Sequence, residues 1–183
     1  MNINKIPIGK NPPTDINVII EIPMLADPVK YEVDKESGAM YVDRFLHTSM
    51  QYPCNYGFIP HTLSDDGDPV DVMVIGRIPV AVGCVLRTRP VGILYMEDEA
   101  GGDEKILGVP HTKLHPYHDN VFDIEDVRGI ERQRIEHFFA HYKDLEEGKW
   151  VKIVGWGGHE EAEEAIRRGV QRAADLEVRK RYG

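Results

Sequence analysis

Short segments rich in β-branched and aromatic residues, punctuated by glycine and proline, fill the first two-thirds of the chain. The run at residues 16–23 is apolar and ends in proline, and residues 30–34 alternate between polar and apolar side chains. Further strands are predicted at residues 40–46, 70–75, 85–96, 105–109 and 150–155, with a hairpin turn at residues 36–38. Several short strands at close spacing are typical of a small barrel. We therefore predict a small closed or nearly closed β-barrel.

The last third of the chain changes to helical periodicity. Large apolar residues recur at helical spacing from Ile135 to Tyr142, which predicts a helix over residues 130–145 with one apolar face. A second amphipathic helix is predicted at residues 160–181, and its charged outer face is typical of a solvated surface. The chain is thus mainly β with α, and its helices should pack outside the barrel. A length of 183 residues fits one domain, so we predict a single domain over residues 1–183.

The formal net charge of −9 limits the classes of partner. An acidic chain lacks a general attraction for nucleic acid or for anionic membranes, so we expect neither partner. If the substrate is an anion, bound metal ions are the usual source of positive charge at the site. The two cysteines, Cys54 and Cys84, form no CxxC pair and predict neither a disulfide framework nor a zinc site. No apolar run has the length of a signal peptide or of a membrane span, so we expect a cytoplasmic protein.

An acidic turn precedes one of the predicted strands. Asp66, Asp68 and Asp71 lie within six residues, with Gly67 and Pro69 between them. Glycine permits unusual backbone angles and proline fixes φ, so the turn should be stiff and should hold its carboxylates together. Carboxylates this close stay ionised more readily with cations between them, and hard cations such as Mg²⁺ prefer oxygen ligands. Taken alone, such a turn is more often an ordinary surface turn, and its spacing does not fit an EF-hand.

A second acidic segment, residues 97–104, lies between two predicted strands. By itself it would be a solvated hairpin loop, but two acidic clusters at strand ends of one small barrel can face each other across a cavity. Other side chains in the chain suit phosphate, because arginine grips phosphate oxygens through two nitrogens and lysine acts as a point charge. The candidates are Lys30 and Glu32 on one strand face, Arg44 at the end of the next strand, Tyr52 and Tyr56 on either side of a predicted turn, and Tyr142 with Lys143 at the end of the first helix.

Taken together, these residues resemble the family I soluble inorganic pyrophosphatases of the bacterial type. The tight acidic turn, Asp66-Gly67-Asp68-Pro69-Val70-Asp71, matches the signature of that family. Other matching segments follow in the order of the family over nearly the whole chain: Glu21-Ile22-Pro23, Lys30-Tyr31-Glu32, Arg44, Tyr52 to Pro60, Asp98-Glu99, Asp103 with Lys105, and His141 to Glu146. One such segment would be a weak indication, whereas the ordered series is highly specific.

The resemblance implies a fold, a reaction with its general base, a cofactor and a set of partners. The family fold is a distorted five-stranded barrel of OB type with flanking helices, two of them in the C-terminal third here. The implied reaction is hydrolysis of pyrophosphate to two phosphates by a metal-activated water, with Asp68 as the general base. The implied cofactor is Mg²⁺, several ions per site, with Mn²⁺ as an alternative ion. The implied partners are pyrophosphate, phosphate and further copies of the chain in a homohexamer.

The resemblance also implies which side chains bind the metal ions and the phosphates. The first Mg²⁺ would be bound by Asp66, Asp71 and Asp103, with Asp71 bridging to a second ion. Further ions would be held by Asp98, Asp103, Glu21 and Glu32. The phosphates would be contacted by Lys30, Arg44, Tyr56, Tyr142 and Lys143, with Lys105 and Tyr52 near the edge of the site.

Other patterns in the chain predict less. His137 and His141 lie one helical turn apart, a spacing that can bind metal, but no acidic partner stands at the zinc-protease spacing, and we expect both at a subunit interface. Residues 148–149 lack the upstream glycine of a P-loop, and residues 155–157 lack the final glycine of a dinucleotide loop. Two alternatives stay open. One is a non-catalytic OB-type binding module, which the acidic charge disfavours, and the other is a broader nucleotide pyrophosphohydrolase.

Overall fold

The computed structural model describes residues 1–182 and, within them, the side chains of residues 1–179. The strands are β1 (Gly9–Asn11), β2 (Asp15–Ile22), β3 (Val29–Val33), β4 (Met40–Phe45), β5 (Asn55–Phe58), β6 (Asp71–Val74), β7 (Val85–Asp98), β8 (Gly101–Pro110) and β9 (Val151–Gly157). The helices are α1 (Gly129–His141) and α2 (His159–Tyr182). The last residue of the predicted single domain, residue 183, lies outside the described residues.

Five strands pair in a closed ring, which we call the β-ring: β2, β5, β6, β8 and β7. Strand β2 pairs with both β5 and β7, and the circuit is completed through β6 and β8. The β6–β8 pairing is parallel, whereas the other pairings in the β-ring are antiparallel. Strands β1 and β9 extend the sheet, and β3 with β4 forms a separate hairpin. The prediction of a small five-stranded barrel is thereby confirmed.

Alternate side chains of the β-ring strands enter two apolar clusters. The first combines Met73, Leu94 and Leu107 with Phe138 and Phe139 of α1. The second combines inward side chains of β2, β6, β7 and β8 with the alanine-rich face of α2. Each fully buried phenylalanine stabilises the fold by about 2 kcal/mol through removal of apolar surface from water. The two helices therefore hold the β-ring from outside, as their apolar faces predict.

Most predicted elements agree with the structure, and the differences have local causes. The seven predicted strands correspond to β2, β3, β4, β6, β7, β8 and β9. Strand β5 was not predicted, because Gly57, a weak strand former, masks the pattern, and the turn predicted at residues 53–55 overlaps only its first residue. Gly57 is needed there, since a Cβ would overlap the carbonyl oxygen of Ile19 on the paired strand. The short β1 was also not predicted.

The helices confirm the predicted pattern, with one corrected boundary. Helix α1 ends at His141, four residues before the predicted end at Leu145, and Tyr142 caps it by donating its N–H to the carbonyl oxygen of Phe138. The following residues turn back toward the hairpin, so the predicted helix end becomes part of the site. Helix α2 spans the predicted second helix. None of the described helices is both long and apolar enough to cross a membrane.

Candidate active site

A cavity of about 180 Å³ opens between the β-ring, the β3–β4 hairpin and the end of α1. Charged and hydroxyl-bearing side chains from all three parts face it. Its walls contain Glu21, Lys30, Glu32, Arg44, Tyr52, Tyr56, Asp66, Asp68, Asp71, Asp103, Lys105, Tyr142 and Lys143, which sequence analysis had singled out, together with Lys35, Phe58, Pro69 and Phe139. The structure therefore brings together thirteen of the fourteen candidate residues, and only Asp98 lies off the wall.

The acidic turn before β6 is shaped by its own backbone and side chains. Asp66 accepts a hydrogen bond from the backbone N–H of Asp68 (2.9 Å), and Ser64 donates its N–H to the carbonyl oxygen of Asp68 (2.7 Å). Gly67 has φ of 94°, which a residue with a side chain rarely adopts, so glycine is required there. Burial raises the pKa of Asp66, and the nearby Asp68, Asp71 and Asp103 carboxylates raise it further. The carboxylates are thus close enough to disfavour one another's charge.

Lys105 on β8 connects the two acidic segments. Its ammonium donates to Asp71 Oδ2 (2.8 Å) on β6 and lies 3.1 Å from Asp103 Oδ2 on β8. The lysine is only 5% exposed. Burial alone would lower the pKa of Lys105, but the Asp71 and Asp103 carboxylates raise it well above its usual value. The parallel β6–β8 pairing therefore places one buried cation between two carboxylates.

Three tyrosines, Tyr52, Tyr56 and Tyr142, contribute aromatic rings to the cavity wall. The Tyr52 ring lies 5.3 Å from that of Tyr56 and 4.5 Å from that of Phe138. The rings of Phe138 and Tyr142 are stacked at 5.2 Å. Burial raises the pKa of both Tyr52 and Tyr56 well above the usual value. Both phenols accordingly stay protonated and can donate hydrogen bonds to an anion.

The β3–β4 hairpin supplies the opposite wall. Lys30 donates to Glu32 Oε1 (2.6 Å) and lies 3.4 Å from Asp43 Oδ2, so Lys30 and Glu32 share a face as predicted. Burial disfavours the charge of Lys30, but the hydrogen bond to Glu32 raises its pKa overall. Lys35, just beyond the hairpin strand, donates to Asp68 Oδ1 (3.2 Å) across the cavity mouth. Lys35 was missed in the sequence because a lysine beside a turn carries no distinguishing pattern.

Glu21 is a buried carboxylate on β2, 6% exposed. It accepts a hydrogen bond from the backbone N–H of Val33 (2.8 Å), which ties the β-ring to the hairpin. Burial, with a smaller contribution from the Asp71 carboxylate, raises the pKa of Glu21 to about 7. A cation bound near Glu21 would lower this pKa and so favour the ionised carboxylate.

Lys143 and Asp98 form a pair behind the cavity wall. Lys143 follows the end of α1 and donates to Asp98 Oδ2 (2.9 Å) at the end of β7. Partial burial opposes ionisation of Asp98, but the hydrogen bond from Lys143 lowers its pKa overall. Glu99 lies 3.9 Å from Lys143 and pairs also with Lys149. Asp98 therefore orients a lysine of the cavity here, instead of facing the cavity itself.

The cavity suits divalent cations by the chemistry of its donors. Within the described residues, no three histidine, cysteine or carboxylate groups already form a coordination shell. Three carboxylates nonetheless converge from the acidic turn and from β8. Burial and then the acidic neighbours raise the pKa of Asp66, although Lys105 pairs with both Asp71 and Asp103. Carboxylate oxygens are the ligands that hard ions such as Mg²⁺ prefer. Asp66, Asp71 and Asp103 therefore offer oxygen donors of the kind that such ions prefer.

The other patterns from the sequence lie outside the cavity. The rings of His137 and His141 are 4.7 Å apart, and His141 pairs with Asp144 (2.8 Å). The lysine of the P-loop-like pair, Lys149, is bound to Glu99. Residues 155–157 lie in β9, so they do not form the loop that a dinucleotide site needs. None of these groups contributes a side chain to the cavity wall.

The β-ring and this cavity define a class of small β-ring proteins with a cavity lined by both acidic and basic side chains. The family model described as inorganic pyrophosphatase matches residues 18–174 of the chain. An inorganic pyrophosphatase of Rhodospirillum rubrum is 80% identical over 170 residues, which cover 93% of this chain and 95% of that protein. An inorganic pyrophosphatase of Escherichia coli is 56% identical over 173 residues, which cover 94% of this chain and 98% of that protein.

Solved structures agree with the sequence relatives. The inorganic pyrophosphatase from Thermus thermophilus has a TM-score of 0.90 and 41% identity, covering 95% of this chain and 99% of that chain. A protein from Anaplasma phagocytophilum, described as an inorganic phosphatase, has a TM-score of 0.90 and 48% identity, covering 93% of this chain and 99% of that chain. The chain belongs to the inorganic pyrophosphatase family.

Proposed function

We propose that the chain hydrolyses inorganic pyrophosphate to two orthophosphates in a reaction that depends on divalent metal ions. The observation that carries the proposal is the composition of one small cavity. Five cationic side chains and three tyrosines line it together with six carboxylates. Cations and hydroxyl donors suit the phosphate oxygens, and the carboxylates suit the metal ions that neutralise the remaining charge. Membership of the inorganic pyrophosphatase family supports the same reaction.

The cationic side chains bind and orient the substrate in this proposal. Lys30 and Arg44 approach from the hairpin, and Lys143 approaches from the end of α1. Because they come from different elements, they can hold the two phosphoryl groups at fixed positions, which removes much of the entropic barrier to attack. Tyr56 and Tyr142 donate hydrogen bonds from the apolar wall. Lys105 and Tyr52 complete the site at its edge.

Asp68 is the proposed general base, which accepts the proton of the attacking water. Its side chain is 69% exposed at the mouth of the cavity, where a water can reach it. Asp66, Asp71 and Asp103 would hold the first divalent ion, and Glu21 and Glu32 would contribute to further ions, with Asp98 joining them once it releases Lys143. Divalent ions bound there would supply charge neutralisation for the phosphates and a lower pKa for a bound water. Mg²⁺ is the proposed ion, with Mn²⁺ as an alternative.

Phosphate release from pyrophosphate tests the proposal directly. We expect rapid release with Mg²⁺, none with EDTA, and almost none from ATP in the same assay. Nucleoside triphosphates turned over as fast as pyrophosphate would favour the broader pyrophosphohydrolase. No release from folded protein with any divalent ion would overturn the proposed reaction and leave a binding module as the alternative.

We also propose that the protein forms a homohexamer and acts in the cytoplasm. The bacterial members that this chain resembles imply the hexamer, and the side chains of Tyr41, Val42 and Phe45 on β4 are exposed apolar groups that an interface could cover. Neither nucleic acid nor a membrane is a proposed partner, in keeping with the net charge of −9.

A further inference from the structure

Glu146 lies behind the cavity, in the turn that follows α1. Its carboxylate oxygen Oε1 is 3.2 Å from Nε of Arg44, and the Glu146 side chain is only 11% exposed. Arg44 lines the cavity, whereas Glu146 does not. Arg44 supplies the one ion pair that Glu146 makes with the described side chains. The carboxylate thus contacts the arginine from outside the cavity wall.

The contact between the two groups is electrostatic. Both Nε of Arg44 and Oε1 of Glu146 are buried atoms, and their geometry at 3.2 Å is not that of a hydrogen bond. Neither atom has another hydrogen-bond partner among the described residues. A buried carboxylate without any compensating charge is costly, so Glu146 depends on Arg44, and Arg44 is drawn toward Glu146. Of the outer nitrogens of Arg44, Nη1 lies 3.9 Å from Asp43 Oδ2, and the guanidinium still offers donors to an anion on its other edges.

The backbone around Glu146 joins the two parts of the chain that carry phosphate-type side chains. Glu146 donates its N–H to the carbonyl oxygen of Lys143 (2.8 Å), which closes the turn after α1. From the segment after β4, Thr48 donates to the carbonyl oxygen of Tyr142 (3.4 Å), and a ring nitrogen of His47 lies 3.2 Å from that of Leu145. Glu146 therefore lies where the segment that follows Arg44 is bonded to the turn that carries Lys143.

We propose that Glu146 is a positioning residue that holds the Arg44 guanidinium against the phosphate cavity. The proposal rests on the proposed function of that cavity. The proposal predicts the direction in which anion affinity changes when Glu146 loses its charge, and this direction is the opposite of the one that simple electrostatics predicts. Removing a negative charge close to an anion site should tighten anion binding through Coulomb's law, whereas loss of a positioning contact should weaken it.

Glu146→Gln tests the sign, with Glu147→Gln as its matched control. Glu147 is the next residue, it is exposed, and it lies off the cavity wall. We expect Glu146→Gln to raise KM for pyrophosphate about three- to tenfold with a smaller change in kcat, as loss of one charged contact in binding does. Glu147→Gln should leave both parameters unchanged. A KM for Glu146→Gln at or below the wild-type value would overturn the proposal.

An Arg44→Lys background separates positioning from a purely structural role. If Glu146 acts through the Arg44 guanidinium, Glu146→Gln should have little further effect on KM once Arg44 is lysine. An equal loss in both backgrounds would mean that Glu146 acts elsewhere, and the proposal would be wrong. If Glu146→Gln does not fold, Glu146→Asp keeps the charge but withdraws it by one methylene, and it should raise KM relative to Glu147→Asp. The same KM in these two variants would also contradict the proposal.

Inorganic phosphate separates failure of this proposal from failure of the proposed function. Calorimetric titration with phosphate should show weaker binding to Glu146→Gln than to the wild type, whether or not pyrophosphate is turned over. Wild-type protein that neither hydrolyses pyrophosphate nor binds phosphate would remove the proposed function, and Glu146 would lose its role with it. If the wild-type protein is active and the Glu146→Gln variant binds phosphate as well as the wild type does, only the positioning role is overturned.

Discussion

At the scale of single residues, the charged side chains of the cavity stabilise one another by pairing with opposite charges. Lys105 is almost fully buried, and it keeps its charge because Asp71 and Asp103 face it at 2.8 and 3.1 Å. Removing one member of such a group leaves its partners uncompensated in a region of low dielectric constant, which is more costly than the loss of a surface ion pair. Substitutions at Lys105 should therefore disturb the site even where they leave the fold intact. Asp68, by contrast, is exposed and can be altered with little structural cost.

Asp68→Asn should lower kcat about 10²- to 10⁴-fold, which is the range for loss of a general base. The thermal midpoint should change little, because the Asp68 side chain is 69% exposed and its ion pair with Lys35 is at the surface. The matched control is Asp65→Asn in the same turn, whose side chain is 81% exposed and pairs with Arg172 away from the cavity wall. Near-normal turnover of Asp68→Asn would show that another group accepts the proton.

Asp71→Asn should raise the Mg²⁺ concentration needed for half-maximal activity by about tenfold or more, because a neutral amide replaces an ionised oxygen ligand. A Mg²⁺ titration of hydrolysis at saturating pyrophosphate measures this. The same titration of Asp65→Asn provides the control. An unchanged Mg²⁺ requirement would take Asp71 out of the metal-binding set.

At the scale of elements, the site depends on how a hairpin, a helix end and the β-ring are held against one another. Glu21 on β2 accepts the N–H of Val33 on β3, and the segment after β4 bonds to the turn after α1. A further contact, between His159 and Asp123 (2.6 Å), ties the first residue of α2 to the short 3₁₀ turn Ile124–Asp126. Each of these contacts joins two residues, so each can be tested by substituting one of them.

The pair of His159 and Asp123 should make stability depend on pH. The hydrogen bond to Asp123 raises the pKa of His159, and the same bond lowers the pKa of Asp123. The contribution of His159 is therefore complete below its unfolded pKa of about 6.5 and is lost as the pH rises through the folded value. That of Asp123 is complete above about pH 4 and is lost as the pH falls through its folded value. The pair stabilises most between these limits.

His159→Gln should lower the unfolding free energy at pH 5.5 by at most about 1 kcal/mol, since both side chains are more than a third exposed. The loss should be smaller at pH 9, and urea unfolding at the two pH values measures the difference. In an Asp123→Asn background the pH-dependent part of the loss should disappear. An equal loss at both pH values would contradict a charged pair.

Much of the architecture follows from the sequence because its signals are local. The apolar strands punctuated by turn residues, the helical stripe from Ile135 to Tyr142 and the stiff acidic turn at Gly67 are each contained within a few residues. Strand β5 was not predicted, because the need for Gly57 arises from a neighbouring strand that is distant in the sequence. The end of α1 was placed too late for a related reason, since the chain leaves the helix to meet the segment after β4.

The candidate site was predictable in its members and less so in its contacts. Acidic and basic residues at strand ends point to one cavity, and the resemblance to a known family orders them. The sequence did not show that Asp98 would face Lys143, or that Lys35 would reach Asp68 (3.2 Å), because both contacts join segments far apart in the chain. Glu146 belongs to a segment that matches the family, but its contact with Arg44 depends on the turn after α1.

At the scale of the whole molecule, the exposed apolar side chains predict assembly. Tyr41, Val42 and Phe45 on β4 are each more than half exposed, which is unusual for one short strand of a protein that stays monomeric. We expect a homohexamer, with a mass six times the 20.8 kDa of one chain. Size-exclusion chromatography with light scattering measures the mass, and Phe45→Glu should reduce it if β4 lies in an interface. A wild-type monomer at micromolar concentration would contradict the assembly.

Closure of the β-ring has a consequence for how the protein gains its activity after synthesis. The closing contact pairs residues 16–19 of β2 with residues 85–88 of β7, so a long stretch of chain must be in place before the circuit is complete. Pairings between such distant segments form slowly, because the entropy of the intervening chain is lost before the contact stabilises it. Asp71 and Lys105 meet only through the β6–β8 pairing inside that circuit. Recovery of hydrolysis during refolding would therefore report that the β6–β8 pairing has formed, since a partly folded chain holds the residues of the site but not their arrangement.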